Sequence, residues 1–167
     1  DAVLAAMGRA PAAAENEALL GRIAAAVPEA AIGADILAGF PGETADDFRQ
    51  TVDMIERSPL AYVHVFAYSP RPGTPAAARP QVDGAVRKQR AVRLRALSGR
   101  KSLDFRSRFL GRVLAGIVIR ITADGAQVLT GNAVEVEALG AAPARGEEVR
   151  VRITSVDGDR TRGEIMS

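Results

Sequence analysis

Ala34-Asp35-Ile36-Leu37-Ala38-Gly39-Phe40-Pro41-Gly42-Glu43-Thr44 is the stretch on which the fold turns. An apolar run, then two glycines around one aromatic and one proline, then a hydroxyl residue, describes a strand, a tight turn and a helix start. Thr44 is placed to cap that helix, with Asp47 three residues on to reach back to it. Phe48, Val52 and Ile55 supply its apolar stripe. Upstream, Leu19, Leu20, Ile23, Ala26 and Val27 recur at helical spacing over 13–27 until Pro28 stops the run. Ala31 to Ala38 then reads as a buried strand. Downstream, Tyr62 to Tyr68 is rich in aromatic and β-branched residues and reads as a second strand, bounded by the stiff segment Ser69 to Pro75. Helix, strand, helix, strand is the rhythm of parallel α/β construction, in which ligands gather beyond the carboxyl ends of the strands. Two strands do not complete a parallel sheet covered on both faces. This half is therefore expected to be part of a larger sheet, and its uncovered surface to drive self-association of the chain by itself or to leave this half less stable than the tail.

The second half has a different period. Asp83 can cap a long helix reaching to about Phe109, with Val86, Leu94, Leu97, Phe105 and Phe109 on its buried side and a break at Gly99. Residues 84–112 carry 10 basic groups and 1 acidic group, a net +9 between two mildly acidic flanks. From Val113 apolar residues alternate, and the pairs Asp124-Gly125 and Asp157-Gly158 are strong hairpin turns. Strands over Val113–Thr122, Gln127–Thr130, Ala133–Leu139, Val149–Ser155 and Thr161–Met166 suit a small antiparallel, OB-like barrel. The fold class is thus α/β followed by all-β, divided as residues 1–82, a basic linker helix 83–111 and a β domain 112–167.

With zero cysteines the chain forms no disulfide and offers no thiolate to a metal, and a single histidine, His64, rules out a His-rich metal cage. No run approaches the eighteen or so apolar residues of a membrane span, and nothing resembles a signal peptide. The expected location is the cytoplasm, with no membrane partner. The first loop has two readings. Gly39 and Gly42 let a flat ligand approach the backbone beside the exposed N–H groups of a helix start, or they serve a tight turn in which Glu43 favours the helix dipole. Asp35 in a buried strand needs a partner that the sequence does not reveal. The rim from Phe66 to Ser69 can offer backbone groups to a purine edge between aromatic walls. His64 has no neighbouring nucleophile or acid and is given no role. Arg71 reads equally as a substrate-loop cation or a solvated arginine.

The two motifs Asp35 to Thr44 and His64 to Pro75, followed by a basic helix and a small β domain, resemble the methylthiotransferase branch of the radical-SAM superfamily. Residues Asp1 to Arg9 resemble its lead-in to the fourth helix of the partial (β/α) barrel, and the final segment resembles a TRAM domain. His64-Val65-Phe66 before Tyr68-Ser69-Pro70-Arg71 is most similar to the group acting on threonylcarbamoyladenosine in tRNA. The resemblance implies the C-terminal part of a longer enzyme that uses S-adenosylmethionine and two [4Fe-4S] clusters to add a methylthio group to C2 of adenosine 37. All cluster cysteines are expected in the missing N-terminal part, so the chain alone is expected to be inactive, with no catalytic or metal residue. By motif position Ile36, Gly39, Phe40, Pro41, Gly42, Phe66, Tyr68 and Ser69 would contact the cofactor. Arg87, Lys88, Arg90, Arg95, Arg106 and Arg120 are the expected contacts to tRNA. Arg145, Arg150, Arg152, Arg160 and Arg162 are further candidates for phosphate, or solvated arginines. The resemblance departs at Ala133, where TRAM domains commonly carry a stacking aromatic. Two alternatives stay open: a non-enzymatic RNA-binding module, and a related enzyme acting on isopentenyladenosine tRNA or a ribosomal protein.

Overall fold

The computed structural model describes residues 1–9, 12–141 and 144–166; Ser167, the last residue of the expected β domain, lies outside them. The chain divides into two compact units, Asp1–Lys101 and Ser102–Ser167. Among the described residues no helix is long and apolar enough to cross a membrane.

The first unit contains α1 (Ala2–Ala6), α2 (Ala13–Ala26), β1 (Gly33–Ala38), α3 (Ala45–Arg57), β2 (Tyr62–Ala67), a 3-10 turn at Pro75–Ala78 and most of α4 (Gly84–Ser107). β1 and β2 are parallel, in register from Gly33 opposite Tyr62 to Ala38 opposite Ala67. Side chains of a strand alternate between faces. Ala34, Ile36, Ala38, Val63 and Val65 accordingly share one face, packed against Phe48, Val52 and Ile55 of α3 and Leu94 and Leu97 of α4. Each large aliphatic side chain fully buried in such a cluster contributes about 1.5–3 kcal/mol. The opposite face carries Asp35, His64 and Phe66, all exposed. This corrects the reading of Asp35: the strand is covered on one side only, so its carboxylate lies in solvent and needs no interior partner. α4 starts under Asp83, whose Oδ1 accepts from the N–H groups of Ala85 (2.8 Å) and Val86 (3.2 Å). It runs through Gly99 without the expected break, and Val86 is half-buried.

The second unit begins in the last turn of α4 and continues as β3 (Val113–Thr122), β4 (Gly125–Thr130), β5 (Glu135–Leu139), β6 (Glu148–Asp157) and β7 (Arg160–Met166). These close into a barrel in the order β3-β4-β5-β7-β6. The expected antiparallel pattern fails at one seam, where β5 pairs with β7 in parallel through Glu137–Arg162, Ala138–Gly163 and Leu139–Glu164. Five is an odd number, so a closed ring cannot alternate direction all the way round and one neighbouring pair must run the same way. Val118, Val128, Val136, Val151 and Ile153 fill the interior with no exposed surface. Register shifts between Val118 and Arg120 and between Ile153 and Ser155 bend β3 and β6 around the barrel. Beside the second, a Cβ on Gly163 would stand 2.5 Å from the Arg152 carbonyl oxygen, an approach only glycine permits. Phe109 is fully buried, edge-on to Phe105 at 5.2 Å. Ala133, expected to open β5, instead sits in the β4–β5 turn at φ 61°, the one non-glycine at positive φ among the described residues.

Candidate functional site at the strand ends

The first loop is built outward from the start of α3. Thr44 Oγ1 accepts from the Asp47 N–H (3.1 Å) while Asp47 Oδ2 accepts from the Thr44 N–H (2.9 Å), the reciprocal box read from the sequence. Hydrogen bonds from the Thr44 side chain first, and its backbone second, hold the Asp47 carboxyl below its ordinary range. Glu43 turns the other way. Its Oε2 accepts from the Gly39 N–H (2.9 Å) and its Oε1 pairs with Arg90, which also donates to the Glu43 carbonyl (3.1 Å). The two side chains are only 10% and 7% exposed, so this is a buried ion pair between the turn and α4. Gly39 stands at φ 76°, and a Cβ there would fall 2.3 Å from Arg87 Cγ. The space expected for a flat ligand at Gly39 is therefore filled by the Arg87 stem; at Gly42 no atom lies within 4 Å of a built Cβ.

The second loop meets the first. The Tyr68 N–H donates to Ala38 O (2.8 Å), and its ring stands edge-on to Phe40 at 5.4 Å. Arg87 Nη1 donates to Tyr68 O (2.9 Å), so α4 holds both loops, one through Glu43 and the other through Tyr68. The Tyr68 hydroxyl oxygen is buried with no hydrogen-bond partner. Along the outer edge of β2, Ser98 Oγ accepts from the Val63 N–H (2.9 Å) and donates to Val63 O (3.1 Å), and Arg95 Nη2 reaches Val65 O (3.4 Å). A cleft of about 360 Å³ opens between the end of β2 and α4, lined by Ala67, Tyr68, Ser69, Arg87, Lys88 and Arg95 among others.

These positions sort the residues expected from sequence. Gly39, Phe40, Pro41, Gly42, Tyr68 and Ser69 come together at the carboxyl ends of the two strands. Within that group Gly39, Phe40 and Pro41 are buried, whereas Gly42 and Ser69 are exposed. Phe66 is exposed on the open face of the sheet. Ile36 departs from the expectation, because its side chain joins the core on the helix side. Arg90 and Arg106 are likewise withdrawn from the surface expected to meet RNA. Arg90 is spent on Glu43, and Arg106 donates to Thr161 Oγ1 (3.0 Å) and the Gly158 carbonyl. Lys88, Arg95 and Arg120 are exposed, and Arg87 is half-buried. Sequence reasoning gave Glu43 to the helix dipole and missed its pairing with Arg90, and it missed Ser98 altogether. One signal was present: Arg90, Leu94 and Leu97 stand at i, i+4 and i+7, which places Arg90 on the apolar stripe.

No family model matches the chain. Among curated proteins, a tRNA-2-methylthio-N(6)-dimethylallyladenosine synthase of Zymomonas mobilis subsp. mobilis is 33% identical over 167 residues, covering 98% of this chain and 37% of that protein. Proteins of the same name from Bifidobacterium longum and a Mycobacterium species are 45% and 42% identical over 112 and 119 residues, 67% and 71% of this chain and 23% of each relative. Its homologues are tRNA-2-methylthio-N(6)-dimethylallyladenosine synthases. The chain spans between 23% and 37% of the length of these relatives. Among solved structures, Mycoplasma genitalium RNase R aligns with 51% of this chain and 20% of its own at 11% identity and a TM-score of 0.31, below the level that establishes a shared fold.

Proposed function

We propose that this chain is the C-terminal part of a radical-SAM methylthiotransferase that modifies an N6-substituted adenosine in tRNA. The observation that carries the reading is the match over 98% of the chain, loops and barrel together, to a relative named as the synthase of a 2-methylthio, N6-substituted adenosine in tRNA; the radical-SAM part rests on the resemblance of the two loop motifs. S-adenosylmethionine would supply the radical, and the iron–sulfur clusters would be held elsewhere in the protein, since this sequence contains no cysteine. Within this chain, the backbone at Gly42, Tyr68 and Ser69 fits the edge of an adenosyl group: Gly42 has open space at its missing Cβ, and Ser69 is exposed just beyond the end of β2. Phe40 and Pro41 support that rim from beneath, and Ile36 does so from the core. The barrel and the exposed cations of α4 serve tRNA binding.

The relatives' names favour a dimethylallyl group on the adenosine. A second reading, threonylcarbamoyladenosine, rests on His64-Val65-Phe66, which lie on β2, with His64 and Phe66 on the open sheet face. Expression of the full-length polypeptide in a host lacking both methylthio modifications decides between them. Mass spectrometry of digested tRNA should show one methylthiolated nucleoside, either the dimethylallyl or the threonylcarbamoyl form. Neither appearing, with both precursors present and both clusters assembled, would remove the proposal.

A further inference from the structure

Four basic residues of the first unit are paired with a carboxylate: Arg90 with Glu43, Arg57 with Glu17, Arg49 with Asp46 and Arg100 with Glu56. Arg87, Lys88 and Arg95 differ from these in sharing one cleft. Arg87 and Arg95 donate to main-chain carbonyls, of Tyr68 and Val65, which satisfy hydrogen bonds and neutralise no charge. All three line the cleft between the end of β2 and α4, and among the described residues no acidic side chain lines it with them. Three like charges around one concave space repel one another and focus a positive potential into it, which a mobile anion relieves. The cleft is also framed by backbone. Val63 turns both its N–H and its C=O outward to Ser98, and alternation along the strand gives Val65 and Ala67 the same outward sense. The main chain of Ala67 thereby faces the cleft beyond the reach of Ser98, with the Ser69 hydroxyl on the rim.

We propose that this cleft seats a phosphodiester of the RNA backbone, with Lys88 and Arg95 as its charge contacts and Arg87 as the fixed wall behind them. The assignment rests on the tRNA reading above and narrows it from a basic helix to one seat on that helix. A nucleic-acid backbone fits better than a lone carboxylate of a protein partner because three cations of α4 line the cleft, and successive phosphates of one strand can answer them. Lys88 and Arg95 are seven residues apart, two turns of helix or about 10 Å, wide enough to hold a backbone phosphate between them.

The test measures binding of this chain to a fluorescein-labelled tRNA anticodon stem-loop by anisotropy over a salt series. The parent is compared with Lys88→Glu/Arg95→Glu and with Arg9→Glu/Arg22→Glu, which makes the same change of net charge at exposed sites away from the cleft. The cleft pair should weaken binding roughly tenfold or more, and lower the slope of log K against log salt by about 1.4, two contacts at ~0.7 each. The control pair should shift affinity by no more than about twofold to threefold. Equal losses in both pairs, or no loss in the cleft pair, overturn the seat while leaving RNA binding in place. A parent that binds no RNA at all overturns the tRNA reading and the seat together. Lys88→Gln/Arg95→Gln, checked by circular dichroism, repeats the comparison without introduced carboxylates and should lose affinity in the same order. Inorganic phosphate added at constant ionic strength separates the sources: displacement of RNA only at high millimolar levels supports a polymer seat, and displacement at micromolar levels overturns it in favour of a free phosphate or mononucleotide.

Discussion

The two units solve the sheet-edge problem in opposite ways. The barrel of the second unit joins β6 back to β3, so its strands have no lateral edge, and its interior is filled by valines and one isoleucine without exposed surface. The sheet of the first unit has two strands, one face covered by α3 and α4, and an opposite face on which Phe66 is 53% exposed. Its outer edge along β2 is closed by side chains of α4 rather than by another strand. The barrel is held by close backbone approach and apolar filling; the α/β unit also depends on a few polar side chains that cross from α4 to its loops. The two should therefore fail under different kinds of mutation.

The largest effect is expected at the buried ion pair. Arg90→Ala leaves Glu43 charged and 7% exposed beneath the Gly39 turn, and should cost the first unit about 3–5 kcal/mol. Hydrogen exchange should show protection lost in β1, α3 and β2 and kept in the barrel; unchanged protection in α3 would mean that the pair is dispensable. The converse break is Gly163→Ala. Its Cβ would meet the Arg152 carbonyl oxygen and Val151 Cγ2 at 2.5 and 2.8 Å, and such overpacking costs about 1–3 kcal/mol. Here exchange should accelerate in β6 and β7 while α3 is untouched.

Smaller changes sharpen the contrast. Thr44→Ala removes the cap of α3 and should cost about 1 kcal/mol. It should also change the acid limb. The folded Asp47 carboxyl titrates below the ordinary carboxylate range, so its contribution is complete above that range and is lost as pH falls through the lower folded value. The variant should lose the part of its acid sensitivity that comes from this group, measured as the difference between thermal midpoints at pH 5 and pH 2.5. The smallest effect has the opposite sign. Ala133 occupies the left-handed region at φ 61°, so Ala133→Gly relieves steric strain and should stabilise the barrel by roughly 0.5–1 kcal/mol, net of the added chain entropy of glycine. A fall in the melting temperature of the second unit would show that the turn tolerates alanine at no cost.

Local features were legible in the sequence. Thr44 and Asp47 are three residues apart, and the capping box they form is present as read. The two hairpins join the strands they were expected to join, but each turn is displaced by one residue, to Ala123-Asp124 and Gly158-Asp159, so that Gly125 opens β4 and Asp157 closes β6. What stayed hidden depends on residues far apart in the chain. Arg90 and Glu43 are separated by 47 positions and Arg106 and Thr161 by 55, so charge counting placed both arginines on a basic surface while folding buried them. The side of Ile36 was hidden for another reason: Ile36 and Leu37 are both apolar, and a strand without alternation does not declare which face is covered. The parallel seam between β5 and β7 follows from the count of strands, which the sequence showed, but not from any residue within them.

Ser98 gives and receives a hydrogen bond at one residue of β2, the two bonds that a neighbouring strand would have made there. A hydroxyl on a helix thus works as a one-residue ghost strand, and it ties two different molecular rulers together. The strand counts in steps of about 3.3 Å and two residues; the helix counts in steps of about 1.5 Å and 100°. They coincide at Ser98 only while the spacing back to Arg87 is kept at eleven residues, close to three whole turns. Deleting one residue between them would swing the hydroxyl about 100° off the edge, and with Val63 uncovered the sheet would be open to a strand from any passing chain. The length of that helical interval is therefore under a geometric constraint that its composition does not disclose: residues on its exposed side are free to change, but their number is not.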